Sequence, residues 1–145
     1  MEIHDLNRAE CWNFLGVRRL GRLGCAKDNV PYVVPVSFSI QPPSLFAMTT
    51  VGKKVEYLRE NSHICAQFDD IASPQEWTSV IVQGQFEELT STTEQDHAHQ
   101  VLESAVWWEP GYVRTMVHGQ LRPAVALYFR IMVEEISGRR GVATA

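Results

Sequence analysis

The sequence has few cysteines, no long apolar run and no excess of positive charge, and each shortage removes a class of protein. Its three cysteines, Cys11, Cys25 and Cys65, are an odd number without a Cys-x-x-Cys pair. They read as reduced thiols of a cytoplasmic protein, with at least Cys65 packed in a core. No basic stretch followed by an apolar run opens the chain at Met1–Asp5, so no secretory signal is read. No apolar run approaches the ~18 residues of a membrane-spanning helix. Lys and Arg total 13 against 17 Asp and Glu, a net charge of −4 at pH 7. Without a global basic field, nucleic acid is not the expected main partner, although a local cationic pocket remains compatible with this balance. Internal repeats, low-complexity segments and Ser/Gly/Pro linkers are also missing, so residues 1–145 read as one domain, long enough to bury a core without staples.

Familiar catalytic signatures are missing too. There is no Gly-x-Ser-x-Gly elbow and no His-Glu-x-x-His. His97 and His99 stand two apart on a helix and face different directions, so they make a poor metal pair, and no metal site is expected. His118 has no partner legible in the sequence. His63 reads as a surface histidine, with an axial ligand as the alternative.

What is present is alternation. Tyr32, Val34, Val36, Phe38 and Ile40 alternate with Pro31, Val33, Pro35, Ser37 and Ser39, which is period two with one apolar face. Gln41–Ser44 is a turn and Leu45–Thr50 a return strand, giving a hairpin. Further strands are read at 18–26, around Ile64, Ala66 and Phe68, at 77–89, and near 124–136, where Val125, Leu127, Phe129, Ile131 and Val133 alternate. Residues 69–76 are read as a loop. Three helices are expected. The first is capped by Asn7 with Glu10 in a capping box and ends at Gly16. The second spans about 52–60, with Val55 and Leu58 as its apolar stripe and Asn61 as its stop. The third follows a second box, Ser91 to Glu94, carries Ala98, Val101, Leu102, Ala105 and Val106 at helical spacing, and ends over Trp107–Gly111. Hairpins and long alternating strands suit an antiparallel barrel better than a parallel α/β sheet.

Three segments carry chemistry. Thr49-Thr50-Val51-Gly52-Lys53-Lys54 lies where a strand ends and a helix begins. A helix N-terminus favours anions, and each lysine in its first turn costs a few tenths of a kcal/mol. Two ammonium groups, two hydroxyls and free backbone N–H groups suit a phosphate dianion there. A solvated pair of surface lysines is the alternative, and the segment is not a Walker A loop. In the second segment, Pro35 removes a ladder donor inside Val34–Phe38, so the strand has an edge or a gap in pairing. The small face of Val33, Pro35 and Ser37 then suits a flat heterocycle or simply meets water. In the third, Ser79 lies on the polar face of its strand beside Trp77, which packs or stacks. Gly138-Arg139-Arg140-Gly141 reads as a solvated tail, with a partner subunit's phosphate as the alternative.

Taken in order, Gly21-Arg22-Leu23-Gly24, Pro31–Val36, Thr49–Lys54, Trp77–Gly84 and Ile136–Arg139 resemble the pyridoxamine 5'-phosphate oxidase-like split-barrel group. The branch they resemble most is that of flavin-nucleotide-binding and nitroimidazole-resistance proteins, and the likeness covers nearly the whole chain. It implies a mainly β fold, a six-stranded antiparallel split β-barrel with short flanking helices. It also implies a homodimer with FMN at the subunit interface. Pro35, Val36, Ser37 and Phe38 would run beside the isoalloxazine ring. Thr49, Thr50, Lys53 and Lys54 would hold the phosphate, and Trp77 and Ser79 would lie nearby, from the same or the other subunit. The implied activity is that of an FMN-dependent oxidoreductase acting on a nitro compound, a quinone-like acceptor or a nicotinamide donor. Non-catalytic binding of flavin or haem is the alternative, and a deazaflavin occurs in the same superfamily. The chain departs from the group where many relatives carry histidine near positions 49–51, and it lacks recognisable C-terminal pyridoxal phosphate ligands.

Overall fold

A computed structural model describes residues 1–16, 18–102, 114–123 and 125–145. The chain runs β1 (Glu2–Leu6), α1 (Arg8–Leu15), β2 (Leu20–Lys27), β3 (Val30–Gln41), β4 (Ser44–Thr50), α2 (Lys53–Glu60), β5 (His63–Ser73) and β6 (Glu76–Leu89), then α3 (Thr92–Leu102), β7 (Arg114–Val117), β8 (Gln120–Pro123) and β9 (Ala126–Val142). Local chemistry sets many of these boundaries. Asp28 and Asn29 adopt φ of 51° and 62°, and two consecutive left-handed residues make the tight turn that joins β2 to β3. At α1 the Glu10 N–H donates to Asn7 Oδ1 at 2.8 Å and the Asn7 N–H donates to Glu10 Oε1 at 3.1 Å, the reciprocal box read from the sequence. At α3 the Glu94 N–H donates to Ser91 Oγ at 3.1 Å. Gly16 and Asn61 end α1 and α2 as expected.

Seven strands form one sheet in the order β1-β9-β4-β3-β2-β5-β6, and β6 pairs in addition with β9. That pairing closes β9, β4, β3, β2, β5 and β6 into a ring of six antiparallel strands, which agrees with the mainly β, six-stranded expectation. β1 is added to the far half of β9, and β7–β8 stand apart as a two-stranded sheet. The ring is filled by inward residues at period two. Phe38, at its centre, meets Phe68 at 5.6 Å and Phe129 at 6.4 Å between ring centroids. Leu23, Leu45, Val55, Leu58, Val80 and Val82 complete the same cluster. A second cluster of Phe46, Met48, Leu89, Ala98 and Leu102 lies between α3 and the outer side of β4. This is why β4 reads as a continuous buried run rather than an alternating one.

The structure corrects several boundaries. The expected loop at 69–76 is mostly strand, because Asp69, Asp70 and Ile71 pair with Ser79, Thr78 and Trp77. A ladder needs backbone groups rather than apolar side chains, so it continues beyond the alternating stretch. The last strand runs on to Val142, and Gly138–Gly141 is not a tail but lies between β1 and β6. The glycines of this segment are required by packing. A Cβ at Gly138 would lie 2.9 Å from Val80 and 3.1 Å from Cys11, and one at Gly141 would lie 2.6 Å from the Trp77 indole. β1 and the β7–β8 hairpin had no counterpart in the sequence reading. Cys65 is half-buried, while Cys11 and Cys25 are the buried thiols. Ala105, Val106 and Trp107–Gly111 lie outside the described residues.

β9 bulges where Gln83 faces Glu135 and Gly84 faces Val133, which leaves Glu134 as the extra residue. β9 passes so close that a Cβ on Gly84 would stand 2.0 Å from the Met132 carbonyl oxygen. Gly84→Ala is therefore expected to destabilise the fold by about 3 kcal/mol. Gly52→Ala, with nothing within 4 Å of its Cβ, should change stability by less than about 0.5 kcal/mol. Urea denaturation followed by tryptophan fluorescence measures both.

A second expectation concerns acid. Arg59 on α2 grips Glu88 on β6 through two bonds, at 3.1 and 2.8 Å. The guanidinium's hydrogen bonds hold the Glu88 carboxyl below its ordinary range, outweighing partial burial, which pushes the other way. A carboxylate whose folded pKa is lowered stabilises the fold above its unfolded pKa and loses that contribution as pH falls through the folded one. Glu88→Gln should therefore lower the urea midpoint at neutral pH, and the difference from wild type should vanish in acid.

Candidate functional site

The candidate site starts from a mismatch in strand pairing. β2 pairs with β3 along Val30–Ser37, but β4 pairs only with Phe38–Gln41. One edge of β3 from Val30 to Val36 therefore has no partner strand among the described residues. The Phe38 N–H donates to the Arg19 carbonyl on the β2 side. Alternation then turns the backbone groups of Val33 and Pro35 toward the open edge. Pro31 and Pro35 are tolerated for that reason, since their missing N–H falls where no ladder bond is made. This is the edge expected from Pro35. Side chains follow the same alternation. Pro35 and Val33 are exposed and Ser37 is half-buried on the outer face, whereas Val36 and Phe38 point into the core.

β4 leaves β3 to run beside β9, and its last residues lead into α2. Thr49 faces inward with 5% exposure. Thr50 pairs with Ala126, and the next N–H, of Val51, donates to the Val125 carbonyl at 2.8 Å. Gly52 is the N-cap of α2 and supplies no side-chain cap, so the first-turn N–H groups have no side-chain acceptor there. Lys53 Nζ lies 5.2 Å above the Tyr32 ring and 5.7 Å from the Tyr57 ring. Lys54 is half-buried beside Cys25, and its pKa is lowered by burial, which the neighbouring thiol offsets in part. Among the described residues no carboxylate pairs with either lysine, although Arg18, Arg22, Lys27, Arg59, Arg130 and Arg139 all have one.

Trp77 and Ser79 lie elsewhere, on the outer face of β6. Gln67 donates to Ser79 Oγ at 3.0 Å and to Asp69 at 2.9 Å. Arg22 stands 3.6 Å from the same Asp69, and Arg139, opposite Ser79, pairs with Asp5 at 3.2 Å. Trp77, Ser79, Ile81, Ser137 and Arg139 line an open hollow of about 470 Å³. Pro35, Arg22, Gln67 and Ile81 form one cross-strand row. Three strand spacings of ~4.8 Å, about 14 Å, thus separate β3 from β6, and the open edge of β3 faces away from that hollow. Lys53 thus reaches β3 at Tyr32 and Lys54 reaches β2 at Cys25, while Trp77 and Ser79 stand on another part of the ring.

Tyr57 was legible in principle, because it stands four residues after Lys53 and so shares its helix face. Gln67, Asp69 and Arg22 join Ser79 only through strand register, which no local pattern announces. His97 meets the Phe46 ring, His99 bonds the Tyr128 hydroxyl at 3.0 Å, and His63 bonds Gln85 at 3.2 Å.

Similar proteins share this architecture. A family model described as pyridoxamine 5'-phosphate oxidase matches residues 7–140. An uncharacterized protein of Rhizobium meliloti is 30% identical over 148 residues, covering 99% of this chain and 98% of that protein. The crystal structure of an FAD-binding protein from Mesorhizobium loti is 36% identical with a TM-score of 0.78, covering 97% of this chain and 99% of that one. An FAD-binding protein from Mycobacterium smegmatis, 23% identical over 94% of this chain and 98% of its own, has the same fold with a TM-score of 0.67. With a family model spanning nearly its whole length on a six-stranded ring of the matching kind, this chain belongs to the pyridoxamine 5'-phosphate oxidase family.

Proposed function

We infer that the chain binds a flavin nucleotide, FMN as its minimal form, and works as a flavin-dependent oxidoreductase on a small redox substrate. The observation that carries this reading is the lysine pair. A half-buried ammonium beside a helix N-terminus, with no described carboxylate near it, is unfavourable on its own. A phosphate dianion removes that cost, and Thr50, Lys53, Lys54 and the first-turn N–H groups are the donors it would meet. Tyr32 and Tyr57 flank the exposed Lys53 ammonium with their rings. The open edge of β3 offers backbone groups of Val33 and Pro35 to the rim of a flat ring. Val36 and Phe38 serve from behind, as the packed floor of that strand.

The flavin would supply the electron-transfer chemistry, and the protein need only bind, orient and exclude water. Trp77 and Ser79, too far round the ring to reach the same ligand, would come from a second copy. A homodimer is thus part of the reading. It is supported by the outer face of β3, β2, β5 and β6, where Val33, Leu20, Ile71 and Ile81 are exposed. Three free thiols among the described residues fit work in the cytoplasm.

The deciding experiment is an absorbance spectrum and mass analysis of whatever copurifies, followed by anaerobic addition of NADH or NADPH. Flavin bands that bleach are expected. A colourless protein that does not take up FMN would overturn the reading, and a Soret band would point to haem. Bound flavin that no donor or substrate reduces would make the protein a carrier.

Two expectations follow for the lysines. Lys53→Ala combined with Lys54→Ala should weaken FMN binding about a hundredfold or more while leaving the urea midpoint nearly unchanged. Equal affinity would refute the phosphate assignment. Lys54→Met separates stability from binding. A lysine whose folded pKa lies below its unfolded value destabilises the fold while protonated. Its replacement by an apolar side chain should leave the fold at least as stable at neutral pH, yet lower FMN affinity about tenfold or more. In the wild type, affinity should fall as pH rises through the lowered Lys54 pKa, and fluorescence titration should show that this decline is missing from the variant.

A further inference from the structure

Near its end β2 presents only small residues, Gly24 and Ala26, to the outer face, and this leaves a hollow between its two neighbours. Val33, Gly24, Cys65 and Gln83 stand side by side in one cross-strand row, and Pro31 faces Ala26 in the next. The side chains of β3 and β5 therefore rise on either side of a low floor. The hollow holds about 440 Å³, the size of a small-molecule site. The Cys65 thiol leans over its floor, since a Cβ on Gly24 would stand 2.7 Å from Cys65 Sγ. Asn61 closes one end by donating to the Ala26 carbonyl at 3.1 Å.

The two walls differ. Pro31 and Val33 make the β3 side apolar, whereas His63, Cys65 and Gln83 make the other side polar. The tautomer of His63 is set by its neighbours. Gln85 stands opposite His63, and its amide nitrogen lies 3.0 Å from the Glu134 carboxylate, which only accepts. The Ser62 hydroxyl donates to the other end of that amide at 2.6 Å. The same Gln85 nitrogen then donates to His63 Nδ1 at 3.2 Å, so a neutral His63 carries its proton on Nε2. One ring N–H donor is thus left on the polar wall.

Charge separates this hollow from the others. Among the described residues lining it there is no Asp, Glu, Lys or Arg. The two hollows beside Trp77 carry Asp5 with Arg139 and Asp70 with Arg140, and the one at Gly84 carries Glu134 and Glu135. The uncharged hollow also adjoins the flavin corner. Val33 lines it while its backbone serves the open edge of β3, and Tyr32 lines it with Lys53 Nζ 5.2 Å from its ring.

We propose that this hollow is a substrate site beside the flavin corner and takes a quinone, a neutral flat ring with carbonyl acceptors. The proposal rests on the flavin reading of that corner. The ring lies on Gly24 and the polarizable Cys65 sulfur, with Pro31 and Val33 along its apolar edge. A carbonyl oxygen accepts from His63 Nε2–H. Phosphates and carboxylates find no countercharge on these walls, so acidic substrates are disfavoured. The overall balance is one quinone, one NADH and one proton from solvent giving one hydroquinone and NAD+, with the electrons passing by way of the flavin.

The test is equilibrium dialysis of the full chain, with and without FMN, against duroquinone. Every ring carbon of this quinone is substituted, so it does not add to thiols. An analogue with a carboxylate on one methyl is the charged control. Ala26→Phe fills the hollow, and His63→Leu removes the donor without filling it. Wild type should bind duroquinone at least about tenfold more tightly than the analogue. Ala26→Phe should lose about tenfold or more in duroquinone affinity and His63→Leu about fivefold, with FMN affinity unchanged. Absence of duroquinone binding, equal affinity for the analogue, or full affinity in both variants would overturn the proposal. So would a parallel loss for FMN, or a fall in particle mass by light scattering, which would make the hollow a subunit contact. If the chain takes up no FMN, the reading of the corner fails, while dialysis without FMN still decides whether the hollow binds a neutral ring.

Discussion

Ring closure depends on β9 serving three neighbours. One of its edges pairs with β6 from Tyr128 opposite Leu89 to Gly141 opposite Trp77. The other edge pairs first with β4 and then, beyond the bulge, with β1. This long strand draws β4 away from β3. β4 matches β9 along its whole length, Ser44–Thr50, but β3 only from Phe38 to Gln41. The open edge of β3 and the entry of α2 beside it are thus two results of one departure. The candidate site is a consequence of how the sheet closes, and the prolines of β3 lie on the one edge where they break no ladder.

The sequence made legible whatever is local or periodic. The capping boxes at Asn7 and Ser91, the alternation of Tyr32 to Ile40, and the edge implied by Pro35 all rest on neighbours within a few residues, and they appear as read. What failed is long-range or masked by composition. β1 pairs with Gly138–Val142, more than a hundred residues away, and its sequence has no strong alternation of its own. Gly138 and Gly141 look like breakers because glycine weakens strands in general. Here the missing Cβ admits Val80, Cys11 and the Trp77 indole, a reason visible only once the partners are known. At the site, Lys53 and Lys54 were readable as an electrostatic anomaly. The contacts of Lys53 with Tyr32 and Tyr57 needed strand and helix brought together, and the grouping of Gln67, Asp69 and Arg22 beside Ser79 needed register.

The start of α2 forgoes stability in several small ways. Gly52 caps nothing with a side chain, two cations oppose the helix dipole, and Lys54 is partly desolvated without a carboxylate. The same chain ties other elements with arginine–carboxylate pairs, α2 to β6 at Arg59–Glu88 and β9 to β6 at Arg130–Glu87. The cost at α2 is therefore confined to one corner, which is the pattern of a site prepared for a ligand charge rather than of a fold short of carboxylates.

The two halves of the proposed site fall on different sides of one ring, and this bears on how copies of the chain would meet. A two-fold contact sets each patch against its symmetry mate's surface, so a face of one charge sign would repel itself. The outer face of β2, β5, β6 and β9 carries both signs in alternation, Arg22 with Asp69 and Arg139 with Asp5, and these pairs are already satisfied within the chain. Such a face presents little net charge while Leu20, Ile71 and Ile81 supply apolar area. Lys53 and Lys54, which pair with no described carboxylate, lie instead where β4 gives way to α2. Segregated in this way, attraction between copies and attraction for an anionic ligand need not compete for the same side chains.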